Sequence, residues 1–221
     1  VSSCSFITNQ IQIDLTNTMR NTINMVKQKI IALVDCDSFF VSCEQKKNPE
    51  YAGKAVCVLS NNDGCVISRS REAKNMGIKM GEPYFMAKKN YPKAIYLSAD
   101  HDYYKKVSDS IMSILKNFSP YAEIYSIDEA FVDLTGLTRL YNKNYYKLAV
   151  YLREKILQEV NIPVSIGVSS TKTLAKLASD KAKNISGGVY LIGKRKIKTE
   201  LKGTKIEEIW GIGKRLSKNL R

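Results

Sequence analysis

The sequence predicts an α+β fold, in which a mixed or antiparallel sheet carries helices on one face. Short runs of apolar, β-branched residues recur along the chain, the first at residues 30–34 and the last at 189–192. Runs of this length are typical of buried strands. Residues 99–118 and 145–160 instead repeat apolar side chains with the period of a helix. Strands mixed with two long amphipathic helices indicate an α+β sheet.

The first third of the chain alternates strands with short helices. Residues 30–34 form the first predicted strand, and Ser38 is placed to cap a following helix that begins at Phe39. Residues 55–59 and 65–68 read as two strands joined by the turn Asn61-Asn62-Asp63-Gly64. A short basic helix over residues 69–76 follows, and Gly77 ends it.

The remainder predicts the rest of the sheet. Residues 123–134 read as two strands around Asp128-Glu129, and residues 163–168 as another strand. Ser169-Ser170 predicts the cap of a third helix that ends before Gly187. Residues 194–205 resemble a charged linker, whereas residues 1–28, rich in Asn, Thr, Gln and Ser, predict a poorly ordered leader.

Charge and composition narrow the class of protein. The net charge of +14 in 221 residues indicates a polyanionic partner, most often nucleic acid. Residues 172–221 carry fourteen Lys or Arg against four acids, a net of +10, although a lysine-rich solvated surface would give the same numbers.

Five cysteines without a CxxC pair and one histidine, His101, suit neither a disulfide framework nor a structural zinc site. This cysteine usage indicates a reducing cytoplasm. No apolar run reaches the roughly 20 residues of a membrane span.

Asp128-Glu129 is the least favourable pair in the sequence, because apolar residues flank it on both sides. Two adjacent carboxylates in a buried hairpin repel each other and lose hydration, which a divalent cation would offset. An exposed hairpin tip would explain the pair equally well.

Asp35 favours the metal interpretation. It ends the first predicted strand, at the sheet edge where ligands commonly bind, and the Cys36 carbonyl would point into the same space. Carboxylates from two strands could hold two metal ions roughly 4 Å apart, as in phosphoryl transfer. Asp37 could join them or could cap the next helix.

Basic residues supply groups for a phosphate. Arg71 and Lys74 are three residues apart on one helix face, with the Ser68 hydroxyl nearby. Lys172 and Lys176, near another helix N-terminus, could bind anions in the same way. A single lysine is more often surface charge.

Several segments together resemble the Y-family translesion DNA polymerases, and most of all their UmuC branch. In collinear order they are residues 34–40 (VDCDSFF), 60–67 (SNNDGCVI), 125–131 (YSIDEAF), 172–178 (KTLAKLA) and 210–213 (WGIG). The resemblance extends from about residue 30 to residue 221. It implies a right-handed polymerase with a palm at residues 29–38 and 100–192, fingers at 39–99, and a linker with the start of a helical thumb at 193–221.

The resemblance also implies roles for individual residues. Asp35, Asp128 and Glu129 match the catalytic carboxylates that hold two Mg²⁺ ions, with the Cys36 carbonyl as an added ligand. Phe40 matches the steric gate against a ribose 2′-OH. The other matched nucleotide-binding residues are Phe39, Cys65, Ile67, Ser68, Arg71, Lys74 and Lys176. The turn formed by Gly211, Gly213 and Lys214 resembles a helix-hairpin-helix that binds DNA phosphates.

The implied function is error-prone, template-directed DNA synthesis in a damage response of the SOS type. The implied partners are primer-template DNA, dNTP, a UmuD-like accessory subunit, the recombinase filament and the sliding clamp, with no membrane. Relatives continue past this point into the rest of the thumb and a little finger, so we expect a fragment. A non-catalytic remnant that binds damaged DNA and a palm-type nucleotide cyclase are the alternatives.

Overall fold

The computed structural model describes residues 29–220, which form two sheets. The larger has the strand order β5-β6-β1-β7-β8, and the smaller has the order β3-β2-β4. The strands are β1 (Ile31–Cys36), β2 (Val56–Leu59), β3 (Val66–Arg69), β4 (Ile95–Ser98), β5 (Ala122–Ile124), β6 (Glu129–Asp133), β7 (Val164–Ser169) and β8 (Val189–Leu191). Neighbours are antiparallel except β7 with β8 and β2 with β4, which are parallel.

The helices connect these strands and extend beyond them. They are α1 (Phe39–Lys47), α2 (Arg71–Asn75), α3 (Tyr84–Asn90), α4 (His101–Phe118), α5 (Leu137–Leu140), α6 (Tyr145–Val160), α7 (Lys172–Ala182), α8 (Ile197–Lys202) and α9 (Lys214–Asn219). Short 3-10 turns lie at Pro49–Tyr51, Lys194–Lys196 and Ile206–Glu208. None of the helices in residues 29–220 is long and apolar enough to cross a membrane.

The alternation of β1 divides its side chains between the two faces of the larger sheet. Ala32 and Val34 belong to the main core, into which α4 and α6 bury their apolar stripes. Leu33 packs on the opposite face with Ala175 of α7. The two long helices therefore lie on one face, as predicted, and the shorter α7 covers the other. The α+β prediction is confirmed.

A glycine allows α7 to lie directly against the sheet. A Cβ at Gly167 of β7 would stand 2.0 Å from the Ser179 nitrogen and 2.2 Å from the Ala175 carbonyl oxygen. No side chain fits at those distances, so β7 and α7 meet backbone to backbone. This contact fixes the height of α7 above the strands.

The smaller sheet has a core of its own. Cys57, Leu59 and Val66 pack against Ala73 of α2 and Ala87 of α3. The Ser70 hydroxyl caps α2 by accepting from the Ala73 N–H at 3.1 Å.

Several local predictions are wrong. Ser38 precedes α1 but adopts a left-handed backbone (φ 46°, ψ 47°) and caps nothing, because its hydroxyl is turned toward Lys74. Thr171, not Ser169-Ser170, caps α7, which ends at Ala182. The charged linker contains α8, whose Glu200 binds Lys181 and Tyr190. The sequence patterns also missed α3 and β4. The predicted leader, residues 1–28, lies outside the described residues.

Candidate active site

The paired carboxylates are brought together by strand register. Asp35 of β1 lies directly opposite Glu129 of β6, and the Cys36 N–H donates to the Asp128 carbonyl at 2.9 Å. Side chains of directly opposed residues leave the sheet on the same face. Asp35 and Glu129 therefore project together toward α7, and Asp35 is only 3% exposed.

Two lysines of the α7 region neutralise this pair. The Lys176 ammonium donates to Glu129 Oε1 and lies 3.4 Å from Asp35 Oδ2. The Lys183 ammonium donates to the same Asp35 oxygen at 2.8 Å. Lys176 lies within α7 and Lys183 directly follows its last residue with helical backbone angles, so both side chains leave on the same face.

The surroundings of Glu129 alter its ionisation. Burial, followed by the neighbouring Asp35 carboxyl, raises the pKa of Glu129 to about 7, although Lys176 opposes both effects. Burial lowers the pKa of Lys176, but the hydrogen bond to Glu129 and the charge of Asp35 outweigh burial, so the net shift is upward. The site thus favours bound positive charge.

The other two acids are held by serines. Ser126 Oγ donates to Asp128 Oδ1 at 2.6 Å, and Ser165 Oγ donates to Asp37 Oδ1 at 2.7 Å. Burial raises the pKa of Asp37, and the Ser165 hydrogen bond partly reverses that shift. Asp37 caps no helix through its side chain, because its carboxylate is turned to Ser165.

The carboxylate oxygens of this site suit a hard divalent cation, but the side chains in this conformation are not arranged around a cation. The buried Asp35 and the half-buried Asp37, Asp128 and Glu129 line one cavity, and oxygen is the donor that Mg²⁺ prefers. Within residues 29–220, no three His, Cys, Asp or Glu side chains are grouped as a metal site. Asp128 would have to leave Ser126, and the lysines would have to leave Asp35 and Glu129. Cys36 lines the same cavity, and burial holds the pKa of its thiol well above its usual value.

Basic groups face the acids across the cavity. Arg71 and Lys74 of α2 are exposed and line its wall, and Lys74 donates to the Ser38 hydroxyl at 2.8 Å. Burial, followed by the charges of Arg69, Lys183 and Arg71, lowers the pKa of Lys74. Neighbouring positive charges thus disfavour the charged form of Lys74, and an anionic ligand such as a phosphate would offset them.

Ser68 lines the main cavity with Arg71 and Lys74, and its hydroxyl is hydrogen-bonded within the protein. It is buried, donates to the Ser38 carbonyl at 3.3 Å, and accepts from the Val41 N–H at 3.4 Å. Ser68 therefore ties β3 to the start of α1. Lys172 does not line the main cavity. Its ammonium pairs with Glu123 at 2.5 Å and lies over the Phe131 ring.

Aromatic residues form the floor beside the acids. The Phe40 ring stacks on Tyr104 with centroids 4.8 Å apart, and His101 packs edge-on at 5.8 Å. Phe39 is buried, its ring lies 5.8 Å from that of Phe40, and it lines the cavity together with Ile67 of β3. Cys65 is half-buried outside the lining, where it pairs with Pro83 in an isolated bridge.

The main cavity has a volume of about 1390 Å³ and contains groups from both sheets. A second cavity of about 420 Å³ lies between α7 and the segment before α9, and Lys176, Gly211 and Gly213 line it. Gly211 has a φ of 90°, which only glycine adopts readily. The Lys214 side chain lies outside the described part of the chain.

Lys183 and Arg153 were not found by sequence reasoning, although both line the main cavity. The spacing of seven between Lys176 and Lys183 was the available signal for Lys183. Arg153 donates its Nε–H to the Val164 carbonyl at 3.1 Å, a contact between distant segments that no local pattern shows.

Comparison with known proteins gives consistent results. Residues 34–180 match the impB/mucB/samB family. Protein UmuC of Salmonella typhimurium is 40% identical over 197 residues, which are 86% of this chain and 46% of that protein. DNA polymerase IV of Saccharolobus solfataricus is 36% identical over 87% of this chain and 55% of its own length. The crystal structure of DinB from Sulfolobus solfataricus superposes with a TM-score of 0.77 at 33% identity, covering 86% of this chain and 56% of that one. The chain spans about half the length of these relatives.

Proposed function

Because the chain belongs to the impB/mucB/samB family of Y-family DNA polymerases, we propose that it carries the catalytic part of an error-prone, translesion DNA polymerase. The reaction is template-directed: the primer 3′-OH attacks the α-phosphate of a dNTP and pyrophosphate leaves. The proposed domains are a palm at residues 29–38 and 100–192, fingers at 39–99, and the start of a thumb at 193–221.

One observation supports this proposal most strongly. A cross-strand pair of buried carboxylates, Asp35 and Glu129, faces the basic residues of α2 across a single cavity. Nucleotidyl transfer needs both kinds of group in one site, because the acidic residues bind the metal ions and the basic residues bind the triphosphate.

Each residue then has a chemical task. Two Mg²⁺ ions held by Asp35, Asp128, Glu129 and the Cys36 carbonyl would lower the pKa of the attacking hydroxyl and stabilise the leaving phosphates. The basic residues Arg71, Lys74 and Lys176 bind the triphosphate and orient it for in-line attack.

Selection of the nucleotide falls to apolar groups. Phe40 is fixed by its stacking on Tyr104, so its ring would meet a ribose 2′-OH and exclude ribonucleotides. Ile67 contacts the nascent base pair from above, with Cys65 beside it. Gly211, Gly213 and Lys214 approach a DNA phosphate through the turn before α9.

The proposed partners follow the same assignment. Primer-template DNA and dNTP are the substrates, and the strongly basic end of the chain, net +10 over residues 172–221, attracts the DNA. A UmuD-like subunit, the recombinase filament and the sliding clamp are proposed accessory partners by family relationship.

Primer extension tests the proposal. The protein is incubated at low salt with Mg²⁺ and a labelled primer-template, and each dNTP is supplied separately. We expect incorporation of the templated nucleotide by the wild type and none by Asp128→Asn. Incorporation without a template would favour a template-independent nucleotidyltransferase, whereas release of a cyclic nucleotide without primer extension would favour a nucleotide cyclase. Salt-sensitive DNA binding by folded protein, without incorporation, would favour a non-catalytic DNA-binding role.

A further inference from the structure

Lys183 lies between two carboxylates at the edge of the main cavity. Its ammonium is 2.8 Å from Asp35 Oδ2 and 3.4 Å from Asp180 Oδ1. The Lys183 side chain is 38% exposed and the Asp180 side chain 47% exposed, whereas that of Asp35 is 5% exposed. Lys183 therefore joins a buried acid to a solvent-facing one.

Without Lys183, Asp35 would keep only the more distant ammonium of Lys176, 3.4 Å from the same oxygen. A buried, ionised carboxylate needs positive charge beside it, so departure of Lys183 is favourable when a cation replaces it. Lys183 has an alternative, because Asp180 is already within ion-pair distance. A small rotation of the lysine would exchange a buried partner for an exposed one.

We propose, on the basis of the proposed function, that Lys183 competes with the divalent cation for Asp35 and moves to Asp180 when the cation binds. Lys183 is then an internal counter-ion that keeps the acid neutralised between catalytic cycles. It weakens cation binding in the absence of nucleotide, and it leaves Asp35 Oδ2 free for coordination only when it moves.

Lys181 provides a matched control on the same helix. Its ammonium pairs with Glu200, an acid outside the main cavity, and its side chain is 34% exposed. Lys181→Gln removes the same charge and the same kind of ion pair as Lys183→Gln. It does not touch Asp35.

The first experiment measures Mn²⁺ binding to the full chain without nucleotide, at fixed pH and ionic strength. We expect Lys183→Gln to lower the Mn²⁺ dissociation constant about tenfold relative to wild type, the size of a typical coupling between two sites. Lys181→Gln and the charge-conserving Lys183→Arg should stay within about twofold. Unchanged or weaker binding by Lys183→Gln, or binding by none of these proteins, would overturn the proposal.

A labelling experiment on the wild type needs no variant and so remains decisive if Lys183→Gln does not fold. Lysines are acylated briefly with and without Mn²⁺, and the modified sites are counted by mass spectrometry. Release from buried Asp35 should increase labelling of Lys183 several-fold, while labelling of Lys181 stays constant. Equal labelling of Lys183 under both conditions would contradict the movement.

Asp35→Asn separates this proposal from the proposed function. If Asp35 ligates the cation, the variant loses Mn²⁺ binding, whatever Lys183 does. Mn²⁺ binding by Asp35→Asn equal to wild type would refute the metal assignment itself. Loss of binding in Asp35→Asn without tightening in Lys183→Gln would refute only the role of Lys183.

Discussion

The two walls of the main cavity are built in different ways. The acidic wall belongs to the larger sheet, where Asp35 is 3% exposed and its position is set by pairing with both β6 and β7. The basic wall is a helix of five residues, α2, whose Arg71 and Lys74 are exposed. Metal coordination demands fixed geometry, whereas attraction of a phosphate tolerates movement. The contrast explains why the acids lie on strands and the bases on a short helix.

Substitution in the acidic wall should have the largest effect. Asp128→Asn or Glu129→Gln retains size but removes a charged metal ligand, so we expect primer extension to fall by about 10³-fold or more. The fold should be retained, as judged by circular dichroism and thermal unfolding. Activity close to wild type in both variants would contradict the metal assignment.

The contact between β7 and α7, which lies behind the acidic wall, can be disrupted without replacing an acidic residue. In Gly167→Ala the new methyl would overlap the backbone of α7, which we expect to cost about 3 kcal/mol or more of unfolding free energy. Urea denaturation measures the change. Gly203→Ala is the control, because the nearest atom to its added Cβ would lie 3.8 Å away. Equal stability of the two variants would show that α7 is not held by this contact.

Phe40, near the start of α1, should govern selection between deoxyribose and ribose. Phe40→Ala removes the ring that we place against the ribose 2′-OH, so the preference for dNTP over NTP should fall by about 10²-fold. Ratios of kcat/KM for the two nucleotides give the result. Phe40→Tyr keeps the ring and should keep the preference. Unchanged selectivity in Phe40→Ala would place the gate elsewhere.

The basic wall should show the smallest effect. Lys74→Ala removes one charge-assisted contact among several, so we expect the KM for dNTP to rise about tenfold while kcat changes less. Steady-state insertion kinetics measure both constants. Lys79→Ala, in the loop that follows α2 and outside the cavity lining, should behave as wild type. A larger loss in kcat than in KM would mean that Lys74 acts on the transition state.

The two walls also differ in how far they could be predicted from the sequence. Acids at the end of an apolar run predicted that Asp35 and the Asp128-Glu129 pair belong to one site, and the structure places them on one cavity. The register that opposes Asp35 to Glu129 depends on pairing between distant segments, which no local pattern contains.

Side-chain orientation was the least predictable feature. Ser68, a predicted nucleotide-binding residue, lines the main cavity, but its hydroxyl donates to the Ser38 carbonyl, a contact that no local pattern shows. Ser38 lost its capping role because its backbone is left-handed, a conformation that its sequence neighbours do not specify. The helix in the charged linker was missed because it is short and has only two apolar residues, Ile197 and Leu201, and its ion pair with Lys181 is a tertiary contact.

The most direct test of the central claim is the metal specificity of a thiol variant. Glu129→Cys replaces a carboxylate oxygen with a sulfur ligand, which binds Mg²⁺ poorly and softer ions such as Cd²⁺ well. Single-nucleotide insertion is measured for wild type and variant in Mg²⁺ and in Mg²⁺ supplemented with Cd²⁺. If Glu129 ligates the metal, the variant is inactive in Mg²⁺ and regains activity with Cd²⁺, while the wild type does not gain. Full activity of the variant in Mg²⁺ alone would contradict the account.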